Sequence, residues 1–194
     1  MRSAITARST RTIRRPGARC RATRPAPAAR ARSTSTATVR SSPDLTLRSP
    51  RPEEAAALSA LCLRSKAHWG YDAGFLETVA PYLQVDPELI AGDFVRVAED
   101  ASGRALGVVQ VDPKGKAGTL DLLFIEPVAI GTGAGRALYD WAKARLKATG
   151  ETRMTILSDP DARGFYERMG ADFVEDRPSD VFKGRVLPWL EAAL

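Results

Sequence analysis

The sequence predicts an α/β fold (α+β in the order of its elements) with a central mixed β-sheet flanked by helices. Short Val- and Leu-rich segments separated by turn residues precede Leu120 and predict antiparallel strands. An apolar run, a glycine-rich turn and an amphipathic helical pattern follow between Leu120 and Leu146. The apolar run after that helix predicts a strand parallel to the one before it, because such crossovers return to the same sheet.

The chain divides into a basic tail, residues 1–44, and one predicted domain, residues 45–194. The tail holds eleven Arg and one acid, and the rest of the chain has a net charge of −4, so the tail accounts for the net charge of +6. The tail has no hydrophobic periodicity, which predicts disorder. Its Arg- and Ser-rich composition is also that of an organelle transit peptide, the alternative being a passive tail. We expect a cytoplasmic protein, or an organellar one if the tail is a transit peptide.

Several partners are not expected. The positive charge is confined to the tail, so the basic pI does not indicate nucleic-acid binding. No apolar run is long enough to span a bilayer, so we expect no membrane association. Cys20 and Cys62 form neither a disulfide framework nor a metal-ligand pattern, and we expect no metal.

The first half of the domain is expected to contain strands, two long helices and a short helical piece or turn. The first helix begins at Pro52 in its favoured first-turn position, and the second begins after Asp72 with Phe75, Val79, Tyr82 and Leu83 on its buried face. The expected strands are Leu45–Arg48, Phe94–Ala98, Ala105–Val111 and Thr119–Ile125, with the short piece at Pro87–Asp93 and a turn at 114–118.

The second half is expected to hold a helix that opens at Arg136 and stops at Gly150. The later elements are a strand at Met154–Leu157, a short helix at Asp161–Met169, and closing strands at Asp172–Glu175 and Arg185–Leu190. The last strand is weakened by Pro188, because proline is confined to sheet edges.

The turn Gly131–Gly135 is predicted to hold an anion, above all a phosphate, on free N–H groups at a helix N-terminus. A P-loop is excluded because Lys-Ser or Lys-Thr does not follow Gly135. A dinucleotide fold, with Asp159 as the ribose-binding acid, is disfavoured because antiparallel strands precede the glycines. A turn that binds nothing is the remaining alternative.

Two segments resemble the motifs of the GNAT N-acetyltransferase superfamily. Ile130–Gly135 is similar to [Gln/Arg]-x-x-Gly-x-[Gly/Ala], with Ile130 departing from Gln or Arg. Asp159–Gly170 is similar to Asn-x-x-Ala-x-x-Phe-Tyr-x-x-x-Gly, with only Asp159 departing from Asn. The resemblance covers about residues 45–176. It implies the GNAT-type acyl-CoA N-acyltransferase fold, with acetyl-CoA as the co-substrate.

The resemblance also implies where acetyl-CoA would lie. The backbone of Phe124–Glu126 would pair with the pantetheine arm, and one of its N–H groups would polarise the thioester carbonyl. The glycine turn would hold the pyrophosphate. The cofactor-binding residues implied are Phe124, Ile125, Glu126, Gly131, Thr132, Gly133, Ala134, Gly135, Arg136, Asp159 and Phe165.

Three residues are candidates for catalysis. Tyr166 matches the family's tyrosine, which protonates the leaving thiolate, and the alternative is a core aromatic. Asp121, a polar residue in an apolar strand, and Glu126 at the end of that strand are candidate bases, unless they are merely solvated or ion-paired. Strict alternation places Asp121 on the face of Leu123 and Ile125, and Glu126 on the opposite face.

By resemblance, the link between the first two helices would wall the acceptor pocket. It supplies the candidate substrate-binding residues His68, Trp69 and Tyr71, and the alternative is packing at a helix end. The segment Phe182–Arg185 either offers basic groups to a substrate carboxylate or is a solvated strand end.

The activity expected is transfer of acetyl from acetyl-CoA to a primary amine by direct attack, without a covalent enzyme intermediate. A small-molecule amine is expected in preference to a protein acceptor. A homodimer is common in such folds and stays open here. The alternatives are a non-catalytic acyl-CoA-binding module and a nucleotide-dependent oxidoreductase.

Overall fold

The computed structural model of the protein describes residues 45–114 and 117–194. The predicted tail at 1–44 and two residues of the predicted turn, Gly115 and Lys116, lie outside the described residues. A seven-stranded mixed sheet with helices on both faces forms the described part. This architecture confirms the predicted fold class.

The sheet has the order β1-β2-β3-β4-β5-β7-β6, and all neighbours are antiparallel except β4 and β5. The strands are β1 (Thr46–Arg48), β2 (Val95–Glu99), β3 (Ala105–Asp112), β4 (Gly118–Ile125), β5 (Arg153–Leu157), β6 (Asp172–Pro178) and β7 (Val186–Ala193). The helices are α1 (Ala55–Ala67), α2 (Ala73–Val79), α3 (Pro87–Ala91), α4 (Ala134–Ala148) and α5 (Arg163–Arg168). The β4–α4–β5 unit is the predicted parallel crossover.

The sheet separates two apolar cores. On one face, called here the α4 face, Leu138, Ala142 and Leu146 form a fully buried stripe at helical spacing against the strands. On the other, called the α1 face, Leu58 and Leu61 pack with residues of α2, α3 and the central strands. Burial of one such Leu stabilises the fold by about 1.5–3 kcal/mol, so both faces hold the sheet in place.

Parallel pairing between β4 and β5 is short. Gly118–Leu120 of β4 pairs with Met154–Ile156 of β5, and the pairing between the two strands ends there. Within the described residues, Leu122–Ile125 has its only strand partner in β3, on the other edge. The opening between the two strands beyond Leu120 is called here the β4–β5 gap.

Two prolines change the elements that the sequence predicted. The second helix ends at Val79, and Ala80–Leu83 forms a 3₁₀ turn because Pro81 is excluded from a helix interior. Tyr82 is consequently 64% exposed, so the prediction of a buried Tyr82 was wrong.

Pro188 lies in β7, an interior strand between β5 and β6, and not at a sheet edge. Its carbonyl accepts a hydrogen bond from Ser158 N at 2.8 Å, just beyond the last β5–β7 pair, Leu157 with Trp189. The nitrogen of Pro188 faces the same side as its carbonyl, past the end of β5. Ser158, the residue opposite Pro188, therefore donates one bond and receives none in return, so the missing N–H costs the ladder one hydrogen bond at the end of β5.

Candidate functional site

The glycine turn has the backbone geometry of an anion cradle. Gly131 and Gly133 have φ values of +84° and +97°, a region that costs other L-residues about 1–2 kcal/mol. A Cβ placed on either glycine would meet no atom within 4 Å, so the space over the turn is open. The first backbone bond of α4 runs from Ala137 N to Gly133 O at 3.0 Å. The N–H groups of residues 134–136 therefore point out of the helix N-terminus.

The remaining residues of this turn have different roles. The Thr132 hydroxyl donates to Ala129 O at 2.8 Å, which fixes the turn internally. Arg136 and Ile130 are exposed beside the open space. A Cβ on Gly135 would lie 3.4 Å from the Phe165 ring and 3.7 Å from Ile125, an ordinary contact directed into the protein.

Strand β4 presents two N–H groups to the β4–β5 gap. Glu126 N donates to Leu106 O of β3 at 2.7 Å. Successive N–H groups of a strand point to opposite edges, so those of Leu123 and Ile125 face away from β3 and into the gap. Among the predicted backbone contacts to the pantetheine arm, that of Ile125 is the one that this geometry supports.

Tyr166 of α5 is buried in the core of the α4 face. Its ring lies 5.2 Å from that of Phe165 and 6.0 Å from that of Tyr139. Burial raises the pKa of the Tyr166 phenol well above its ordinary value, and the nearby Tyr139 and Asp159 add to this effect. The phenol therefore keeps its proton at neutral pH.

Asp121 departs from its predicted orientation. The β3–β4 register skips this residue, which makes it the extra residue of a β-bulge. The bulge turns Asp121 to the α1 face, where Gln110 Nε2 donates to its carboxylate at 2.6 Å. Leu123 and Ile125 pack on the α4 face. The prediction that these three residues share a face was wrong, because the bulge interrupts the alternation on which it relied.

Asp121 lines a cavity of about 640 Å³ on the α1 face, together with Asp86 and Asp112. Although one side of the residue is open to this cavity, burial of the carboxylate raises the pKa of Asp121. The bond from Gln110 opposes that shift, whereas the charges of Asp112 and Asp86 add to it.

Glu126 occupies the carboxyl end of β4. Its side chain is buried, and Arg64 of α1 donates to it from Nη2 at 2.5 Å and from Nε at 3.1 Å. Arg64 itself is half-exposed. Glu126 thus lies on the α1 face, as alternation predicted, and is held there by a cation.

Asp159 is the centre of a charged cluster at the carboxyl end of β5. One carboxylate oxygen accepts hydrogen bonds from Lys66 Nζ, from Tyr71 Oη at 2.8 Å and from Arg185 Nη2 at 3.2 Å. The other oxygen accepts from Asp161 N at 3.1 Å. Burial alone would raise the pKa of Asp159, but Lys66 and Tyr71 hold it below its usual value.

The predicted acceptor wall is only partly drawn into this cluster. Tyr71 turns inward to Asp159. The rings of His68 and Trp69 are exposed and pack edge to face, with 5.7 Å between the ring centroids. Sequence reasoning gave Lys66 no site role, and the structure places it in the last turn of α1, next to that link. For Arg185, it left the choice between a substrate contact and a solvated strand end. In the structure, Arg185 Nη2 donates a hydrogen bond to Tyr71 Oη at 2.7 Å.

The described residues hold neither a candidate metal site nor a membrane-spanning helix. No group of three or more His, Cys, Asp or Glu side chains is arranged there to hold a metal ion. No helix in this part of the chain has the length and apolar character needed to cross a membrane.

Solved structures share this fold, and two of the following three are named as N-acetyltransferases. A GCN5-related N-acetyltransferase from Rhodopseudomonas palustris has a TM-score of 0.62 and 21% identity, over 78% of this chain and 96% of that chain. A PaiA N-acetyltransferase from Thermoplasma acidophilum, solved in complex with coenzyme A, has a TM-score of 0.63 and 14% identity, over 77% and 99%. Ard1 from Thermoplasma volcanium has a TM-score of 0.59 and 14% identity, over 78% and 98%. At these identities the likeness shows the fold alone.

Sequence comparison gives the family. No curated protein matches the chain in sequence. A family model described as an acetyltransferase (GNAT) domain matches residues 64–187, more than half of the chain. The chain therefore belongs to the GNAT acetyltransferase domain family.

Proposed function

We propose that the protein transfers the acetyl group of acetyl-CoA to the primary amine of a small-molecule acceptor. The observation that carries this proposal is the convergence of two sets of free N–H groups. Those at residues 134–136 leave the α4 N-terminus, and those of Leu123 and Ile125 enter the β4–β5 gap. A pyrophosphate on the first set leaves the pantetheine arm beside the second. The PaiA protein, of similar fold, was solved with coenzyme A.

The chemistry proposed is one direct displacement. The amine nitrogen forms a bond to the thioester carbonyl carbon, and an N–H group of β4 stabilises the oxyanion. The C–S bond then breaks, and the Tyr166 hydroxyl gives its proton to the thiolate. Glu126 takes the proton of the attacking amine. Both carboxylates line cavities on the α1 face, and Glu126 is preferred to Asp121 because it directly follows Ile125, whose N–H enters the gap.

The test begins with calorimetric titration of the full chain with acetyl-CoA, NADH and NADPH in parallel. We expect micromolar binding of acetyl-CoA alone. An amine panel is then screened for release of the coenzyme A thiol. Binding with turnover supports the proposal, binding without turnover by any amine favours the acyl-CoA-binding module, and NADH or NADPH binding favours the oxidoreductase.

The two candidate bases can be separated by matched amide variants. Glu126→Gln is expected to lower kcat by about a hundredfold, since general-base catalysis contributes about 10²–10⁴-fold. It should also remove the fall in kcat at low pH that protonation of the base causes. Asp121→Asn is expected to keep that pH dependence. The reverse pattern would transfer the base role to Asp121.

A further inference from the structure

We propose that the acceptor carries a carboxylate or similar anionic group, and that Arg185 and Lys66 bind it beside the β4–β5 gap. The inference rests on the proposed function and names the substrate class of that site. It is carried by the charged cluster around Asp159, whose members come from α1, the α1–α2 link, the end of β5 and the β6–β7 link.

The cluster has more positive than negative charge. Lys66 and Arg185 share one carboxylate, and the side chains of all three are largely buried, with exposures of 14%, 23% and 16% for Lys66, Arg185 and Asp159. Screening by water is weak in such surroundings, so an unmatched positive charge is costly there. An anion entering the cluster would neutralise it.

The hydrogen bonds of the cluster also favour an anionic ligand, because its acceptor is occupied and some of its donors are not. Asp159 already accepts four donors, three on one oxygen and one on the other. Arg185 uses only Nη2, which donates to Tyr71 Oη at 2.7 Å and to Asp159 at 3.2 Å. Within the described residues, its Nε and Nη1 donate to no protein acceptor, although a guanidinium has five N–H donors in a fork that matches a carboxylate. The cluster therefore has unused hydrogen-bond donors, on Arg185, for a ligand that accepts hydrogen bonds.

An aromatic stack holds the two cations in place. The Tyr71 and Phe75 rings stack at 4.1 Å, and Phe75 stacks on Phe182 at 4.4 Å. Arg185 Cζ lies 5.1 Å from the Tyr71 ring centroid and Lys66 Nζ lies 4.9 Å from it. Cations fixed in this way lose little side-chain entropy when a ligand binds.

The location favours an acceptor over coenzyme A as the source of the anion. Phe75 and Phe182 pack on the core of the α1 face, whereas the glycine cradle begins α4 on the opposite face. Asp159 follows β5 where that strand borders the gap. An anionic group bound here would leave the amine of the same molecule close to the thioester.

The test uses the full chain with free amino acids and their carboxamides as matched acceptors, and follows thiol release from acetyl-CoA. We expect kcat/KM to be higher for the acids than for the amides by about tenfold to a hundredfold, the value of hydrogen bonds to a charged group. Arg185→Gln and Lys66→Gln should each lower the acid-to-amide ratio about tenfold, mainly through KM. Lys183→Gln, an exposed neighbour in the same link, should not change it.

The affinity for acetyl-CoA, measured by calorimetry, distinguishes a site for the acceptor from a site for coenzyme A. Unchanged affinity in Arg185→Gln supports an acceptor site, whereas a tenfold loss would assign the cations to coenzyme A and overturn the proposal. Equal use of acids and amides by the parent would also overturn it. If no amine is acetylated, the proposed function fails, and titration of acids and amides into the coenzyme A complex decides: selective binding of acids upholds the anion site, and no selectivity removes it.

Discussion

At the scale of single residues, the role proposed for Tyr166 needs a phenol that still carries its proton. Its phenol is buried beside Phe165, and burial raises its pKa, so the proton is retained at neutral pH. A retained proton suits donation to a thiolate. We expect Tyr166→Phe to lower kcat by about a hundredfold and to leave the acetyl-CoA Kd within about twofold, as measured by thiol release and calorimetry.

Tyr139→Phe is the matched control for that variant. Tyr139 is fully buried, and its hydroxyl has no hydrogen-bond partner among the described residues. Removal of an unsatisfied buried hydroxyl is expected to stabilise the protein by about 1 kcal/mol, which raises Tm by about 2–4 °C, with kcat unchanged. Full activity in Tyr166→Phe, or equal losses in both variants, would remove Tyr166 as the proton donor.

At the scale of elements, the start of α4 is the part of the site that has least freedom to vary. Gly133 caps the helix with φ of +97°, so any side chain there is strained and also enters the open space over the turn. We expect Gly133→Val to weaken acetyl-CoA binding by at least about a hundredfold and to destabilise the fold by about 1–2 kcal/mol. Calorimetric titration and urea unfolding measure the two effects.

Gly135→Ala tests whether that loss is specific. A Cβ at this position points to Phe165 and Ile125 at ordinary contact distances, away from the ligand space. Its N–H group stays available at the helix N-terminus. We expect acetyl-CoA affinity within about threefold of the parent, since only a methyl group is added at a tolerated position. Unchanged affinity in Gly133→Val would argue against the phosphate cradle.

Elements with a local signal were predictable from the sequence. The glycine turn at Gly131–Gly135 and the apolar stripe on α4 each lie within one short segment of the sequence, so their patterns are visible there. The crossover to β5 follows from a general rule of handedness. The bulge at Asp121 was not predictable, because it depends on the register of β3 against β4. Alternation assumes an uninterrupted strand, so it assigned this one side chain to the wrong face.

At the scale of the whole molecule, the sheet separates the residues of the proposed site into two groups. Residues 134–136 and Tyr166 belong to the α4 face, whereas Glu126 and the Asp159 cluster belong to the α1 face or its border. In the proposed mechanism, the β4–β5 gap is where acetyl-CoA and the acceptor meet. The motif gave Asp159 as a cofactor-binding residue, and the sequence did not assign Lys66 or Arg185 to it. They lie 93 and 26 residues from it along the chain, and only folding brings them to it.

The same cluster predicts how stability depends on pH. Lys66 and Tyr71 lower the pKa of Asp159 in the folded state, against the effect of burial. A carboxylate of this kind stabilises the fold fully above its unfolded pKa of about 3.9, and the contribution is lost as the pH falls through the lower folded pKa. We expect Asp159→Asn to be less stable than the parent by about 1–3 kcal/mol at pH 6, because two largely buried cations, Lys66 and Arg185, lose their partner. The difference in stability between the two proteins should narrow steadily below about pH 4.

Urea unfolding across this pH range measures the difference. Asp180 is exposed, so Asp180→Asn is the control, and its stability should follow that of the parent at every pH. A difference that stays constant down to pH 3 would show that the Asp159 charge does not contribute to stability.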